Sequence, residues 1–466
     1  MKVRNVIFCL NVAVICLVPL ACTRNNPDVP EPDPGEKIVI PEYAIVESEF
    51  IDPDTFVSLL DNPLAEIIPV DFFQEEYSAT MQALSSRIQS FKDNGVNIKR
   101  VIFSYYTTDK SGKKIHMSVR LDYPVGGNGE VLINSCTLFN HIFVPTNSFC
   151  PTNFFCINEL RVFHGAMVVV PDFQGYGLSA GSPNNSIAPL VDGMQNTEAL
   201  LIAKDIVKKD RHAQISSGFH TDNIGVSRGA LAALGFQRYL ESLSDEAVQK
   251  EINLSGTFYA EVSPYLISKF SRMSLSGLFL NKTAFAITAM SALYNYPEAL
   301  EPLQVSDFFT DEFNNRKVTV GGSTQSMITA LLYQDWSLLE CIAAWGGISN
   351  GHGYDILNRE LCDEDGNLNE DSEQYKALQR IDSQSDLVSG WSPRHPITLA
   401  FCPTDDISSP EDVEKMYTEL SFNSKEDVNL LWYEIDSDFK GVSDHAMSSF
   451  HWEFHTVRQA NPLEVE

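Results

Sequence analysis

The stretch NIGVSRGALAAL, residues 223–234, combines a strand end, a tight turn and the start of a helix. Residues 223–226 have the pattern of a short buried strand, and residues 228–243 are rich in helix-forming Ala and Leu. Gly225 and Gly229 flank Ser227 and leave room for strand and helix to approach closely around a strained serine. A serine hydroxyl at such a turn is placed to act as a nucleophile once a base takes its proton. Because the pentapeptide has a strand before it and a helix after it, we predict a nucleophile rather than an ordinary turn.

Apolar runs and helical stretches alternate on both sides of this turn. Residues 131–138 and 166–171 are apolar enough to be fully buried strands, residues 187–208 have a helical pattern, and residues 256–262 are again strand-like. Such apolar strands are typical of a parallel sheet that is covered on both faces. The β-α-β alternation predicts an α/β fold with a doubly wound, mostly parallel sheet. Upstream, the sequence predicts a helix and then a hairpin, at 74–92, 99–107 and 115–124.

The alternation breaks in residues 267–387, where helical patterns at 283–293 and 326–345 replace it. Two strand patterns resume it afterwards, at 396–402 and 428–435. We therefore expect the chain to build its sheet in two parts, with a helical cap inserted between them. The predicted domains are a first core part, a helical cap insertion and a second core part, at 41–266, 267–387 and 388–466.

The first residues of the chain predict export. Lys2 and Arg4 precede a short apolar run, and a small residue precedes Cys22, as in a secretory signal peptide at 1–21. Cys22 at the cleavage point resembles a bacterial lipoprotein box, in which the thiol is acylated. The Pro-rich residues 22–40 would then be a tether that holds the folded body off a membrane. We expect a cell-envelope lipoprotein facing the periplasm or the surface. Plain secretion is the first alternative, and a retained transmembrane anchor is the second.

The charge balance is strongly acidic. The chain has 62 Asp and Glu against 33 Lys and Arg, a formal net charge of −29. Such a chain repels polyanions, so nucleic acid and anionic lipid headgroups are excluded as partners. Neutral substrates are favoured, and contact with a membrane is expected only through the lipid tether.

The cysteines and histidines suggest no metal site. Cys150 and Cys156 are close enough in sequence for a small disulfide loop in an oxidising compartment, and buried free thiols are the alternative. His451 and His455 stand four residues apart, but no third ligand with metal-site spacing accompanies them. We therefore expect neither a metal nor another cofactor.

Three further segments resemble the α/β-hydrolases, in particular the secretory lipase and esterase branch. They are YYTTD at 105–109, PDFQGYGLS at 171–179 and GWSPRHP at 390–396. Together with the serine pentapeptide they span residues 99–445 in an order and spacing similar to that branch. The resemblance implies ester hydrolysis through an acyl-enzyme, beneath a helical cap that shapes the acyl pocket.

The other members of a catalytic triad follow from this resemblance, because in α/β-hydrolases the acid precedes the base in chain order. Asp405 and Asp406 both follow the strand pattern at 396–402. Asp406 has Pro410 four residues on, similar to the Asp-x-x-x-Pro loop of these enzymes, so we predict Asp406 as the acid and keep Asp405 as the alternative. Of the histidines beyond the acid, His445 follows a loop just after the last strand and is the predicted base. Ser227, Asp406 and His445 are thus the predicted triad.

The oxyanion donors are predicted to be the backbone N–H groups of Arg228, which follows the nucleophile, and of Thr137, near the end of the strand at 131–138. The chain departs from the branch at both places. The usual His-Gly is missing after that strand, and Arg228 stands where Gln, Met or His is more usual. The Arg228 side chain either favours a substrate with a negative group or points outward, and the second is the simpler expectation.

The sequence is compatible with three functions. The first is an exported carboxylic-ester hydrolase that acts on acyl or acetyl esters of lipids, glycans or phenols. The second is a serine peptidase of the tripeptidyl or prolyl aminopeptidase kind, which would need carboxylates, such as those of the acidic loop at 363–373, to bind the substrate amine. The third is a surface lipoprotein that binds glycan or lipid without chemistry. A complete triad in the correct order argues against the third.

Overall fold

The computed structural model describes residues 40–60, 70–127, 129–277, 279–345, 351–424, 426–435 and 443–463. The strands of this part of the chain are β1 (Tyr43–Ile51), β2 (Val96–Thr108), β3 (Lys114–Gly126), β4 (Val131–Asn140), β5 (Ala166–Pro171), β6 (Ala213–Val226), β7 (Leu254–Ala260), β8 (Lys317–Val320), β9 (Ser323–Ser326), β10 (Ile397–Phe401) and β11 (Val428–Trp432). Nine of them form one sheet in the order β1-β2-β3-β5-β4-β6-β7-β10-β11, and β8 pairs with β9 in a separate hairpin.

The helices of the same part of the chain lie on both faces of this sheet and in the segment between β7 and β10. They are α1 (Pro53–Ser58), α2 (Val70–Asp93), α3 (Pro189–Lys208), α4 (Arg228–Ser242), α5 (Glu246–Ile252), α6 (Leu266–Ser274), α7 (Phe279–Asn295), α8 (Pro297–Leu300), α9 (Asp311–Asn315), α10 (Met327–Tyr333), α11 (Leu338–Trp345), α12 (Glu373–Ser385), α13 (Pro410–Asn423) and α14 (Asp444–Arg458).

The sheet is mostly parallel, as predicted. Strand β4 pairs in parallel with β5 and β6, and the parallel pairing continues through β7 and β10 to β11. The antiparallel pairs are at the other end, where β1, β2 and β3 form a meander that joins β5. The doubly wound α/β architecture expected from the alternating patterns is therefore confirmed.

Strand β5 shows why a continuous apolar run becomes a central strand. All six of its residues are buried. Met167 and Val169 pack in one hydrophobic cluster with residues of α3 and α4, whereas Val168 and Val170 pack in another with residues of α2 and α14. Successive side chains of a strand point to opposite faces, so both faces of the sheet are covered by helices. Full burial of each such side chain stabilises the fold by about 1.5–3 kcal/mol.

The strand register brings four loops to one edge of the sheet. Asn140 at the end of β4 pairs with Gly225 in β6, and Val226 pairs with Ala260 at the end of β7. Ala260 in turn pairs with Ala400 near the end of β10. The residues that directly follow β4, β6, β7 and β10 therefore meet at the carboxyl edge of the parallel strands, where ligands usually bind in open α/β sheets.

Residues 267–387, the predicted cap, connect β7 to β10 and contain α7 to α12 and the β8–β9 hairpin. Their apolar side chains, among them Phe285 and Trp336, pack in one hydrophobic cluster, which Ile187 and Ile407 also join. The stretch at 326–345 is two helices rather than one, because Gln334 has a left-handed φ of 52° and ends α10. The predicted domain boundaries remain predictions.

The amino-terminal predictions fall mostly beyond what the structure describes. The signal peptide at 1–21, Cys22 and all but the last residue of the tether at 22–40 lie outside the described residues. None of the described helices combines the length and the apolar character needed to cross a bilayer. Strand β1, which directly follows the tether, was not predicted, because most of its side chains are exposed on the sheet edge and show no alternation.

The predicted disulfide does not form in the structure, where Cys150 and Cys156 are both free thiols. The two side chains pack in different places: Cys150 lies with Phe173 and Tyr176, and Cys156 packs against the cluster that contains Phe155. Closeness in sequence thus did not bring the sulfurs together. Burial raises the pKa of the Cys156 thiol well above its usual value.

Candidate active site

Ser227 occupies the sharp turn between β6 and α4. Its backbone has φ 54° and ψ −118°, a conformation that costs a non-glycine residue roughly 1–3 kcal/mol. The turn is held because the Ser227 N–H donates to the carbonyl of Ala260 at 2.8 Å. A Cβ on Gly225 would lie 2.3 Å from the carbonyl oxygen of Gly229, and a Cβ on Gly229 would lie 1.9 Å from that of Asn140. Glycine is therefore required on both sides of the serine.

His445 and Asp405 complete a relay with this serine. The Ser227 Oγ lies 2.6 Å from His445 Nε2, and His445 Nδ1 lies 2.7 Å from Asp405 Oδ2. The Asp405 carboxylate also accepts the N–H groups of Ile407 and Ser408 at 2.6 and 2.7 Å, which fix its orientation. A carboxylate can only accept, so the imidazole proton belongs on Nδ1 and leaves Nε2 free to take the serine proton.

The prediction that Asp406 contacts the imidazole is therefore corrected to Asp405. Asp406 instead holds the start of α14: its Oδ1 accepts the Ser443 hydroxyl at 2.6 Å and the His445 N–H at 3.0 Å. Its Oδ2 accepts from Asn281 Nδ2 at 3.2 Å. The Asp-x-x-x-Pro spacing locates the loop before α13, but neighbouring side chains in that loop point in different directions, which spacing alone does not determine.

The buried Glu261 was not predicted and lies beside this relay. It follows β7 with a positive φ of 53°, and its carboxyl accepts from Trp452 Nε1 at 3.0 Å and from the Cys402 N–H at 3.3 Å. One ligand atom each from Glu261, Asp405 and His445 lie within 4.8 Å of one another. A sequence signal did exist, since Glu261 is an acidic residue directly after a buried parallel strand.

Burial and mutual repulsion decide the charge of these groups. Burial, reinforced by the nearby Asp405, raises the pKa of Glu261 well above its usual value. Burial also raises the pKa of Asp405, but its two backbone hydrogen bonds oppose that shift. Two carboxylates this close cannot both ionise readily, so Glu261 holds the proton and Asp405 is the charged partner. Burial lowers the pKa of His445, which keeps the imidazole neutral and able to accept a proton at neutral pH.

Of the two predicted oxyanion donors, the structure places one beside the serine. Arg228 is the first residue of α4, where the backbone N–H has no partner within the helix. Thr137 lies inside β4, paired with Val168, and its hydroxyl accepts from Arg161 Nε at 2.8 Å. The prediction for Thr137 is wrong because β4 continues to Asn140, so the loop begins two residues later than the apolar pattern at 131–138 indicated. The residues that follow, His141 and Ile142, line the same cavity as Ser227.

The Arg228 side chain is buried rather than directed to solvent as expected. Only 7% of the residue is exposed, its Nη2 lies 2.9 Å from Asp192 Oδ2, and the guanidinium lies 3.9 Å from the ring centroid of Phe173. Asp192 thus provides a buried counter-charge for the guanidinium.

An open cavity leads to the serine and is lined by residues from the loops at the sheet edge and from the helices around it, Ser227, Arg228, Glu261 and His445 among them. One wall is aromatic and comes mainly from the segment after β4 and from α14. Another wall comes from α6 and α7. The principal side chains of the two walls are Phe143, Phe149, Phe154, Phe155 and Phe450 on the first, and Lys269, Met273, Asn281, Ala284 and Thr288 on the second.

The other late histidines have structural roles. His451 Nδ1 lies 2.8 Å from Glu76 Oε1, and its ring stacks on Tyr433 with centroids 3.5 Å apart. His455 follows one turn later, and burial lowers its pKa to about 4. An earlier histidine, His141 in the segment after β4, is also buried, and its ring stacks on that of Phe173 with centroids 4.4 Å apart.

No protein-family model matches this chain, and no curated protein matches it by sequence. Solved structures do resemble it. A point mutant of the esterase LipA of Xanthomonas oryzae, described as a rice cell wall degrading esterase, has a TM-score of 0.63 and 14% identity, covering 90% of this chain and 99% of LipA. A Legionella pneumophila protein assigned provisionally as a hydrolase has a TM-score of 0.59 and 13% identity, over 91% of this chain and 99% of its own. Candida antarctica lipase A in its closed state has a TM-score of 0.50 and 12% identity, over 84% of this chain and 76% of the lipase. At these identities the comparison establishes the fold, and the chain has the α/β-hydrolase fold.

Proposed function

We propose that this chain is a serine hydrolase of carboxylic esters, exported and tethered through Cys22. The observation that carries the proposal is the continuous hydrogen-bonded relay from Ser227 through His445 to Asp405, at 2.6 and 2.7 Å, on a strained strand-to-helix turn. Nucleophile, base and orienting acid in this geometry are the parts of a Ser-His-Asp triad. A protein that only binds its ligand has no need of such an arrangement.

In the proposed reaction, Ser227 Oγ attacks the ester carbonyl carbon while His445 Nε2 takes the hydroxyl proton. The carbonyl oxygen becomes an oxyanion, which accepts the backbone N–H of Arg228 and one from the His141–Ile142 segment. The oxyanion collapses, the alcohol leaves with the proton from His445, and Ser227 remains acylated. Water then repeats the sequence, giving the free acid and restoring the serine. Removal of one oxyanion donor of this kind lowers kcat by a factor of about 10²–10³.

The cavity favours an ester over a peptide with a free amino end. An aminopeptidase needs ionised carboxylates to bind the substrate amine, and the acidic loop at 363–373 contributes no residue to the cavity lining. The cavity does contain Glu453, but burial raises its pKa to about 8, so it is mostly uncharged at neutral pH. The other lining carboxyl, Glu261, is held next to Asp405. The resemblance to a cell wall degrading esterase also supports ester substrates, whether of glycans, lipids or phenols.

A fluorophosphonate probe tests the catalytic part of the proposal, because it phosphonylates only an activated serine. The wild-type protein is expected to be labelled and Ser227→Ala is expected to stay unlabelled. Ser242→Ala is the matched control, since this serine lies at the other end of α4 and its hydroxyl donates only to the Tyr239 carbonyl. A folded wild-type protein that resists the probe would overturn the proposal. A panel of 4-nitrophenyl esters beside aminoacyl 4-nitroanilides then separates esterase from peptidase.

A further inference from the structure

Helix α6 directs a buried lysine into the cavity. Lys269 and Met273 lie one helical turn apart and both line the cavity that contains Ser227. Lys269 is only 9% exposed, although lysine is rarely buried without a partner. Its neighbours on α6, Leu266 and Phe270, pack into the hydrophobic cluster of the segment between β7 and β10, which fixes the face that the lysine presents.

The ammonium group of Lys269 is unpaired. Within the described part of the chain, no hydrogen bond or ion pair within 4.0 Å reaches it, whereas the guanidinium of Arg228 in the same cavity pairs with Asp192 at 2.9 Å. Lys282, which is equally buried on the neighbouring helix, donates to the Gly351 carbonyl at 3.2 Å. An unpaired buried cation is costly, so Lys269, which unlike Arg228 has no carboxylate beside it, is a charge in this cavity that a ligand anion can balance.

The charged groups around Lys269 come from three other helices. Burial and the positive charge of Arg228 on α4 lower the pKa of Lys269 to about 7, and Asp412 on α13 opposes this shift. The positive charge of Lys269 also contributes to the lowered pKa of His445 on α14. A ligand anion beside the ammonium would replace the missing counter-charge and favour the protonated form.

We propose that Lys269 binds a carboxylate carried by the ester substrate, so that the preferred substrates are esters with a free carboxylate on either the acyl or the alcohol part. This rests on the proposed function and narrows its substrate class. It departs from the neutral substrates that the acidic composition favours, because Lys269 places a local positive charge in the cavity of an otherwise acidic chain. A monoanion fits better than a dianion, because a single unpaired ammonium is available and the Asp405 carboxylate lies beside the histidine that contacts the serine. The aromatic wall, with Phe154 and Phe155, would hold the apolar part of the same substrate.

Two matched pairs of esters test this proposal. The first is 4-nitrophenyl glutarate monoester against 4-nitrophenyl pentanoate, which places the carboxylate on the acyl part. The second is 4-carboxyphenyl butyrate against 4-carbamoylphenyl butyrate, which places it on the alcohol part. For one of the two pairs, the ratio of kcat/KM for the charged ester to that for the neutral ester is expected to be about 10 or more at pH 6.5 in the wild type. The pair that shows the preference identifies the part of the substrate that carries the carboxylate.

In Lys269→Met this ratio is expected to fall to about 1, and Lys269→Arg is expected to keep most of it. Lys282→Met, a buried lysine outside the cavity lining, is the matched control and should leave the ratio unchanged. A wild-type ratio near 1 in both pairs, or a high ratio that survives Lys269→Met, would overturn this inference while neutral ester hydrolysis continues. If Lys269→Met fails to fold, a wild-type ratio near 1 in both pairs still overturns the inference. If none of the four esters is hydrolysed and the fluorophosphonate does not label Ser227, the proposed function itself has failed.

Discussion

Replacing Asp405 by Asn is expected to abolish most activity through the imidazole tautomer. In the wild type, the His445 Nδ1–H donates to Asp405 Oδ2 at 2.7 Å, which leaves Nε2 as the acceptor for the serine proton 2.6 Å away. An Asn side chain can instead donate its amide N–H to Nδ1, and the imidazole proton then moves to Nε2. The histidine can no longer act as the base. In triads this change lowers kcat by about 10⁴, close to 5 kcal/mol of transition-state stabilisation.

Asp406→Asn is the natural comparison, since the two acids are neighbours. The side-chain carbonyl of the new amide could still accept one of the bonds from Ser443 and the His445 backbone, so the change weakens charge-assisted hydrogen bonds without touching the imidazole. A loss of about 1–2 kcal/mol is expected, mostly as reduced stability of the start of α14. We therefore expect kcat to fall less than about tenfold, with a lowered Tm.

The measurement is kcat and KM for 4-nitrophenyl butyrate in both variants, with Tm as the check on folding. Equal losses of kcat in folded Asp406→Asn and Asp405→Asn would contradict the assignment of Asp405 as the acid. So would an Asp405→Asn variant that keeps more than about a tenth of the wild-type kcat, because the change of tautomer requires a far larger loss. In that case Glu261, which lies close to both groups, is the first residue to examine as a substitute acid.

Three further predictions concern charge and export. Glu261→Gln is expected to leave the acid limb of the kcat/KM pH profile in place, because a neutral carboxyl is replaced by a neutral amide; a shift of the limb to lower pH would show that Glu261 is ionised. Glu453→Gln should flatten the pH dependence of stability. Burial raises the pKa of Glu453 to about 8, so the folded protein keeps a proton that the unfolded chain has released above about pH 4.5. The wild type therefore loses stability as pH rises from 5 to 8, by up to about 4 kcal/mol relative to the variant, as measured by urea unfolding. Cys22→Ala should abolish incorporation of a fatty-acid analogue in a bacterial host, and equal labelling of both proteins would argue against the lipid tether.

The parts of the fold that could be predicted from the sequence have local causes. Residues 166–171 form a strand with both faces covered, and their continuous apolar composition is enough to predict such burial. The turn at Ser227 requires glycine on both sides for contacts that lie within a few residues or on the adjacent strand. The position of His445 follows from chain order and from the start of α14. In each case the pattern and its cause lie in the same short segment.

The features that were missed or misplaced depend on distant partners. Asp405 rather than Asp406 meets the imidazole because the loop is oriented by hydrogen bonds from other segments, including Asn281. Thr137 was misplaced because the end of β4 is set by pairing with β6 as far as Gly225. Lys269 was overlooked because one lysine on an amphipathic helix normally reaches solvent. Only the packing of α6 against the cavity shows that this lysine does not.

Strand register also explains the balance of charge at the site. Since β6, β7 and β10 are adjacent and end together, the loop after each of them reaches the same histidine, and two of those loops supply an acid, Glu261 and Asp405. Asp405 receives two backbone N–H groups and the imidazole N–H, so it keeps the negative charge and Glu261 keeps the proton. If Glu261 were ionised, a second negative charge would lie in the cavity and could serve as counter-ion to the lysine. Because it is neutral and Arg228 is paired with Asp192, Lys269 is left with an unbalanced charge, and a substrate carboxylate is the simplest group to match it.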